Sequence, residues 1–238
     1  VSEDSAIASS KSAYLSTVKQ LDDAGKLEDD WAINKRVDVI TGMLVTEAIK
    51  MRPETANWEW SVVVIDDPET INAWCMAGGR MAIYTGLITK LDPTDDELAQ
   101  VMAHEIAHAL ANHTAEKMSM QIATSVGVAA VGVAADNSGV ALSGAALTAM
   151  LAVNLPNSRA AETEADRIGI ELAAKAGFDP AAAATLWQKM GKASKSNPPQ
   201  FLSTHPAPTN RQEELAQLEP EMRKYYDPQA EHPIYKLD

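Results

Sequence analysis

The chain has 238 residues, 46% of them hydrophobic, so it is long enough to bury a core. Its formal net charge of -13 argues against binding to nucleic acid or to an anionic membrane surface. The single cysteine, Cys75, excludes an internal disulfide bond. No nearby residue in the sequence would activate its thiolate, so we expect this side chain to be packed rather than catalytic.

Helices and a small sheet are predicted ahead of the histidine-rich segment. Residues 5–20 and 29–51 have the periodicity of helices. Residues 60–65 are rich in β-branched side chains, and residues 80–84 form a second strand-like run. The pair Gly78-Gly79 marks a turn before the second strand.

A longer helix is predicted from Asp95 to Met118, in the segment that contains VMAHEIAHALANH. Thr94, with Glu97 three residues later, forms a capping box at its start. His113 lies nine residues after His104, which is about the opposite face of a continuous helix. We therefore expect His113 at the surface.

The histidines of this helix form an H-E-x-x-H motif. His104 and His108 are four residues apart and share one face, so both imidazoles can reach one ion. Glu105 lies about 100° further round the helix, where it can act on a water molecule without binding the ion. This arrangement binds zinc and supplies a general base. The alternative is an ordinary helix that carries two histidines by chance.

A third ligand must come from elsewhere, because a catalytic zinc takes three protein ligands and keeps one position for water. A helix predicted between Ser158 and Gly177 carries Glu162 and Asp166 four residues apart on one face. Glu162 can bind the ion while Asp166 accepts a hydrogen bond from a ligand histidine. Glu164 points about 200° away from Glu162 and is expected to be solvated or structural. The alternative is an ordinary acidic helix face.

Taken together, these motifs resemble the M48 family of zinc metallopeptidases. HEIAH at 104–108 and SRAAETEADRIG at 158–169 carry the resemblance, in particular to bacterial periplasmic members and mitochondrial Oma1-type peptidases. Three further stretches are similar to family patterns: INAWCMAGGRMAIYTGLI at 71–88, AGFDP at 176–180 and THPAPTNR at 204–211. The chain departs from the family where Asn157 replaces a frequent aromatic residue and Ala77 a frequent proline.

The resemblance implies an α+β, mainly helical, zincin-like fold with a small β-sheet beside the HExxH helix. It implies one M48-type peptidase domain over residues 1–238, with a core of about 30–217. It also implies one Zn²⁺ ion per chain, a general base, Glu105, and an orienting carboxylate, Asp166. The implied ligands are His104, His108 and Glu162.

The resemblance also implies residues around the open coordination position. His205 and Arg211 would lie there, and such a histidine contacts the transition state or caps the zinc in a closed, self-inhibited form. Without the family pattern they would be a loop histidine and a surface arginine. The strand near Met81 would be a sheet edge that pairs with an extended substrate. The implied substrate-binding residues are Asn72, Gly78, Gly79, Met81, Ala82, Ile83 and Tyr84, with a simple hairpin turn as the alternative for the glycines.

The expected function is that of a zinc-dependent endopeptidase acting on unfolded, misfolded or membrane-associated polypeptides in cell-envelope quality control. The expected location is periplasmic or outer-membrane-associated in a Gram-negative bacterium, with a leader removed before Val1 and with envelope assembly partners. The alternative is a self-inhibited or weakly active, chaperone-like zinc protein, and the intact Glu105 favours the peptidase. Residues 118–156 are expected to form a buried helical hairpin, with a membrane-contacting segment as the alternative.

Overall fold

The fold is mainly helical, with one small sheet. The computed structural model describes residues 1–130, 156–195, 198–206 and 210–237, except the side chains of residues 122–130. This architecture confirms the predicted α+β class. The elements are α1 (Glu3–Asp23), α2 (Trp31–Met51), a 3-10 turn (Pro53–Asn57), β1 (Ser61–Ile65), β2 (Ala73–Met76), β3 (Arg80–Tyr84), α3 (Thr85–Leu91), α4 (Asp95–Leu110), α5 (His113–Ala130), α6 (Arg159–Lys175), α7 (Ala182–Ala193), α8 (Gln200–Thr204), α9 (Arg211–Met222) and a second 3-10 turn (Arg223–Tyr225).

The sheet has the strand order β1-β3-β2, so β3 is its central strand. β1 pairs with β3 in parallel, and β2 pairs with β3 in antiparallel orientation. The prediction that Met81 to Tyr84 form a sheet edge is therefore wrong, because β1 occupies the side of β3 that a substrate would need. The side chains of Met81, Ala82 and Ile83 are also fully buried.

The glycine pair forms the hairpin turn between β2 and β3. Both residues have positive φ angles, +85° at Gly78 and +80° at Gly79, which glycine adopts without strain. A Cβ atom at Gly79 would also collide with the Trp60 ring. Asn72 is buried, and its carbonyl oxygen accepts a hydrogen bond from the Tyr84 N–H at 3.1 Å. These contacts explain the residues as parts of the turn and sheet, and a role in substrate binding stays a prediction.

The main core lies between the sheet and the helices α2, α4 and α7. Its large, fully buried side chains include Leu44, Trp60, Leu98 and Met102. Cys75 is buried as well, and this burial raises the pKa of its thiol well above the usual value. The prediction that this cysteine is packed is thus confirmed.

The central helix α4 begins as predicted and ends earlier than predicted. The Thr94 hydroxyl accepts from the Glu97 N–H at 3.2 Å, and the Glu97 carboxylate accepts from the Thr94 N–H at 2.9 Å, so the capping box is confirmed. The helix stops at Leu110, and α5 starts at His113. The prediction of one continuous helix to Met118 is wrong. Asn112 has a φ angle of +59°, which ends the helix and changes the direction of the chain. Asparagine tolerates this left-handed conformation better than most residues.

α6 packs directly on α4. Its N-cap is the predicted one, since the Ser158 hydroxyl accepts from the Ala161 N–H at 3.1 Å. At the point of closest approach, a Cβ atom added to Gly169 would lie 3.0 Å from both the Cα and the N atom of His104. Glycine therefore lets the two helix backbones approach more closely than any side chain would permit.

The predicted helical hairpin over residues 118–156 and the predicted single domain both stay predictions. Residues 131–155, most of the segment expected to form a helical hairpin, lie outside the described residues. In the part of the chain that the structure describes, no helix combines the length and apolar character that crossing a bilayer requires. That the chain forms a single domain stays a prediction.

Two glycine-to-alanine variants, one in α6 and a control in α7, test the contact between α4 and α6. We expect Gly169→Ala to lower the free energy of unfolding by about 1–2 kcal/mol, because the new methyl group pushes against the main chain of α4. Gly191→Ala in α7 meets open space, and we expect it to add about 0.5–1 kcal/mol through helix propensity. Urea denaturation measures both values, and an equal gain in the two variants would contradict the close contact.

Candidate metal centre

Four buried side chains from three parts of the fold converge beside α4: His104, His108, Glu162 and His205. One donor atom from each lies within 4.8 Å of the others. His104 Nε2 lies 3.1 Å from His108 Nε2, 3.2 Å from Glu162 Oε2 and 3.3 Å from His205 Nδ1. A tetrahedral zinc ion with bonds of about 2.0–2.1 Å requires donor atoms about 3.3–3.4 Å apart. The spacing of this cage therefore fits a tetrahedral metal ion.

The Glu162 carboxylate gives the chemical reason to place a cation in the cage. The side chain is completely buried, and its Oε2 atom has no hydrogen-bond partner among the described residues. Burial raises the pKa of this carboxyl group, but His104, His108 and His205 together hold that pKa well below the ordinary value. The Arg211 guanidinium lies 3.2 Å from Oε2 and compensates part of the charge of this buried carboxylate, and a cation in the cage would compensate more. Imidazole and carboxylate donors suit zinc and several other divalent metals.

Glu105 lies on α4 beside the cage and is almost completely buried. Its Oε1 atom is 3.2 Å from His205 Nε2 and makes no hydrogen bond to the described residues. Burial raises the pKa of this carboxyl group, although His205 and His104 oppose the shift. A buried carboxyl group with a raised pKa suits a residue that takes up and releases a proton. The role of Glu105 as general base stays a prediction.

Asp166 and Arg211 contact two side chains of the cage, His104 and Glu162. Asp166 Oδ1 lies 3.0 Å from His104 Nδ1, where a ligand histidine needs an acceptor. The Arg211 guanidinium lies 2.5 Å from that same oxygen and 3.2 Å from Glu162 Oε2. It also stacks over the Trp187 ring at 3.7 Å. These contacts fit a residue that orients two carboxylates, and the predicted help of Arg211 to an oxyanion stays a prediction.

His113 is not the surface residue that the sequence predicted. It is buried, its Nδ1 lies 2.8 Å from His108 Nδ1, and its Nε2 lies 3.2 Å from Glu164 Oε2. The prediction is wrong because it assumed a continuous helix, whereas the break at Asn112 turns His113 back towards α4. Asparagine is a frequent residue just after a helix end, so Asn112 was a signal for this break.

Two other residues of the site carry no clear sequence signal. The Phe201 ring stacks on the His205 ring, with 4.2 Å between centroids and 23° between planes, and so holds that imidazole in the cage. The Asn157 amide nitrogen lies 2.7 Å from Glu162 Oε1. Both residues precede recognisable features in the chain, but only the tertiary structure brings them to the cage.

Comparison with known proteins agrees with this site. The sequence profile described as Peptidase family M48 matches residues 34–219. The chain belongs to this family. The resemblance inferred from the motifs is thus confirmed.

Individual M48 relatives cover most of this chain. A mitochondrial metalloendopeptidase OMA1 of Schizosaccharomyces pombe is 37% identical over 189 residues, which are 79% of this chain and 51% of that protein. A putative beta-barrel assembly-enhancing protease of Vibrio cholerae is 33% identical over 192 residues, 77% of this chain and 38% of that protein. The beta-barrel assembly-enhancing protease of Escherichia coli is 30% identical over 207 residues, 82% and 40% of the two chains. The chain spans about half or less of the length of these relatives.

A variant of His113 tests whether it orients the ligand His108. When His108 binds a metal through Nε2, its Nδ1–H can donate to His113 Nδ1, and His113 can in turn donate to Glu164. We expect His113→Leu to weaken zinc binding about 10–100-fold, as loss of such a partner does elsewhere. Competition with a chromophoric chelator measures the Kd. The control is His232→Leu, since His232 bonds to the Asp227 carbonyl oxygen in the C-terminal segment; equal affinities of all three proteins would contradict the role of His113.

Proposed function

We propose that this chain is a zinc-dependent endopeptidase that hydrolyses internal peptide bonds of unfolded, misfolded or membrane-associated polypeptides. The observation that carries the proposal is the buried cage of three histidines and Glu162, with the buried carboxylate of Glu105 beside it. A site that only bound zinc would have no need of a buried carboxylate outside the ligand set. Membership of the M48 family supports the same chemistry.

The residues divide the work as follows. His104, His108 and Glu162 hold the ion, and Asp166 keeps the His104 ring in the orientation that ligation needs. When bound, zinc acts as a Lewis acid towards water and the peptide carbonyl group. Glu105 accepts the proton of the attacking water and passes it to the leaving amine. The burial of Glu105 makes this exchange easier, because a raised pKa brings proton uptake closer to neutral pH.

The edge of the sheet that could receive a peptide is that of β2 rather than β3. Within the described sheet, β2 is hydrogen-bonded on one side only, to β3. It packs against α4, and Cys75 at its centre is close enough to Glu105 for that carboxylate to raise the pKa of the thiol further, in addition to burial. An extended peptide on this edge would be recognised through its main chain, which favours unfolded segments of varied sequence.

We propose a location in the envelope of a Gram-negative bacterium, periplasmic or outer-membrane-associated, which the names of the bacterial relatives support. The Vibrio cholerae and Escherichia coli proteins are named for enhancing beta-barrel assembly. On this basis we propose polypeptides of the envelope as substrates and envelope assembly factors as partners. The acidic net charge of -13 gives no support to nucleic acid as a partner.

A second candidate is a self-inhibited form of the same peptidase. His205 Nδ1 lies 3.3 Å from His104 Nε2 and 3.0 Å from Glu162 Oε1, which is the position of a fourth ligand. A ligand there would take the position that a zinc peptidase keeps for water. Phe201 holds the His205 ring in this position by stacking. The closed arrangement would bind zinc tightly and cut slowly until His205 moves away.

Cleavage of casein by the zinc-loaded protein tests the proposal. We expect Glu105→Gln to lower kcat about 10²–10⁴-fold with little change in the Kd for zinc, because the amide keeps the shape but cannot take the proton. Glu221→Gln is the matched control, since Glu221 is exposed and pairs with Arg167 on α6. Equal activity of wild type and Glu105→Gln would refute the assignment of the base.

The same assay separates the open enzyme from the self-inhibited one. If the wild type binds zinc but does not cut, we expect His205→Ala to cut casein, because removing the imidazole opens the fourth position. The double variant His205→Ala, Glu105→Gln should then be inactive. Zinc binding without cleavage in all variants would favour a chaperone-like protein instead.

A further inference from the structure

The Asn157 side chain contacts the cage, although it is neither a proposed metal ligand nor a proposed catalytic residue. Asn157 immediately precedes the Ser158 cap of α6 and is buried. Its amide Nδ2 donates to Glu162 Oε1 at 2.7 Å and lies 3.3 Å from His108 Nε2 and 3.2 Å from His205 Nδ1. One amide thus touches three of the four groups that form the cage.

The contact makes the two oxygens of Glu162 unequal. Oε1 accepts the hydrogen bond from Asn157, whereas Oε2 is buried and has no hydrogen-bond partner among the described residues. Oε2 lies 3.2 Å from both His104 Nε2 and Arg211 Nη1. Oε1 also lies 3.0 Å from His205 Nδ1 and 3.2 Å from His108 Nε2. The Asn157 hydrogen bond therefore fixes which oxygen of the carboxylate faces each side of the cage.

The main chain holds Asn157 in place independently of its side chain. The Asn157 N–H donates to the Thr204 carbonyl oxygen at 2.9 Å, which ties this residue to the segment that carries His205. The adjacent helix start is capped by Ser158, not by Asn157. A substitution at residue 157 therefore removes the amide while both of these anchors remain.

We infer that Asn157 is a positioning residue for the metal ligand Glu162. Its amide fixes the rotation of the Glu162 carboxylate, so that this group keeps the orientation in which it can bind the ion. The inference rests on the proposed function, because it requires that the cage bind a divalent metal.

The test is metal binding to the full chain, measured by chelator competition with Zn²⁺ and by the visible spectrum of the Co²⁺-loaded protein. We expect Asn157→Leu, which keeps the approximate shape, and the smaller Asn157→Ala to raise the Kd for Zn²⁺ about 10–100-fold. We also expect altered Co²⁺ absorption bands, because a Glu162 carboxylate that is free to rotate changes the arrangement of donors around the ion. Ser158→Ala is the matched control: it should lower the urea midpoint of unfolding but leave the Kd and the spectrum unchanged.

Each other outcome has a definite meaning. Wild-type Kd and spectrum in both Asn157 variants would overturn the inference and leave the proposed function intact, since the cage would still bind metal. Tighter binding in the variants would also overturn it, because the amide would then compete with the ion. An equal loss in Ser158→Ala would assign the effect to the stability of α6. Absence of metal binding by the wild type would overturn the proposed function together with the inference.

Discussion

The contact between α4 and α6 at Gly169 is the constraint on which the site depends. A Cβ atom there would lie 3.0 Å from the main chain of His104, so the two backbones are nearly in contact. Glu162 lies seven residues before Gly169, about two helical turns, and therefore faces the same side of α6. The close approach brings its carboxylate to the histidines of α4. A bulkier residue at 169 would move the third ligand away from the other two.

Electrostatics explain why so many charged groups can be buried together. Glu105 and Glu162 are close enough that the charge of Glu162 raises the pKa of Glu105. Burial alone would disfavour the ionised forms of both carboxyl groups. Arg211 contacts Glu162 and Asp166 and is itself buried against Trp187. The arginine compensates part of the negative charge, and a divalent cation in the cage would compensate more.

Loop connections bring the remaining groups to the same point. The chain break at Asn112 returns His113 to His108. The Phe201 N–H donates to the Ile71 carbonyl oxygen at 3.1 Å, so the short helix before His205 is attached to the segment that leads into β2. His205 is thereby tied both to the cage, through His104, and to the segment that leads into β2.

The sequence by itself determined the features that depend on neighbours along the chain. The capping box at Thr94, the Ser158 cap and the pairing of His104 with His108 follow from local spacing, which a helix converts directly into geometry. Tertiary structure alone decided which groups meet across the fold. It placed β3 in the centre of the sheet and His113 in the interior. It also set the Asn157 amide on Glu162, because strand order, a single left-handed residue and contacts between distant segments leave no periodic pattern in the sequence.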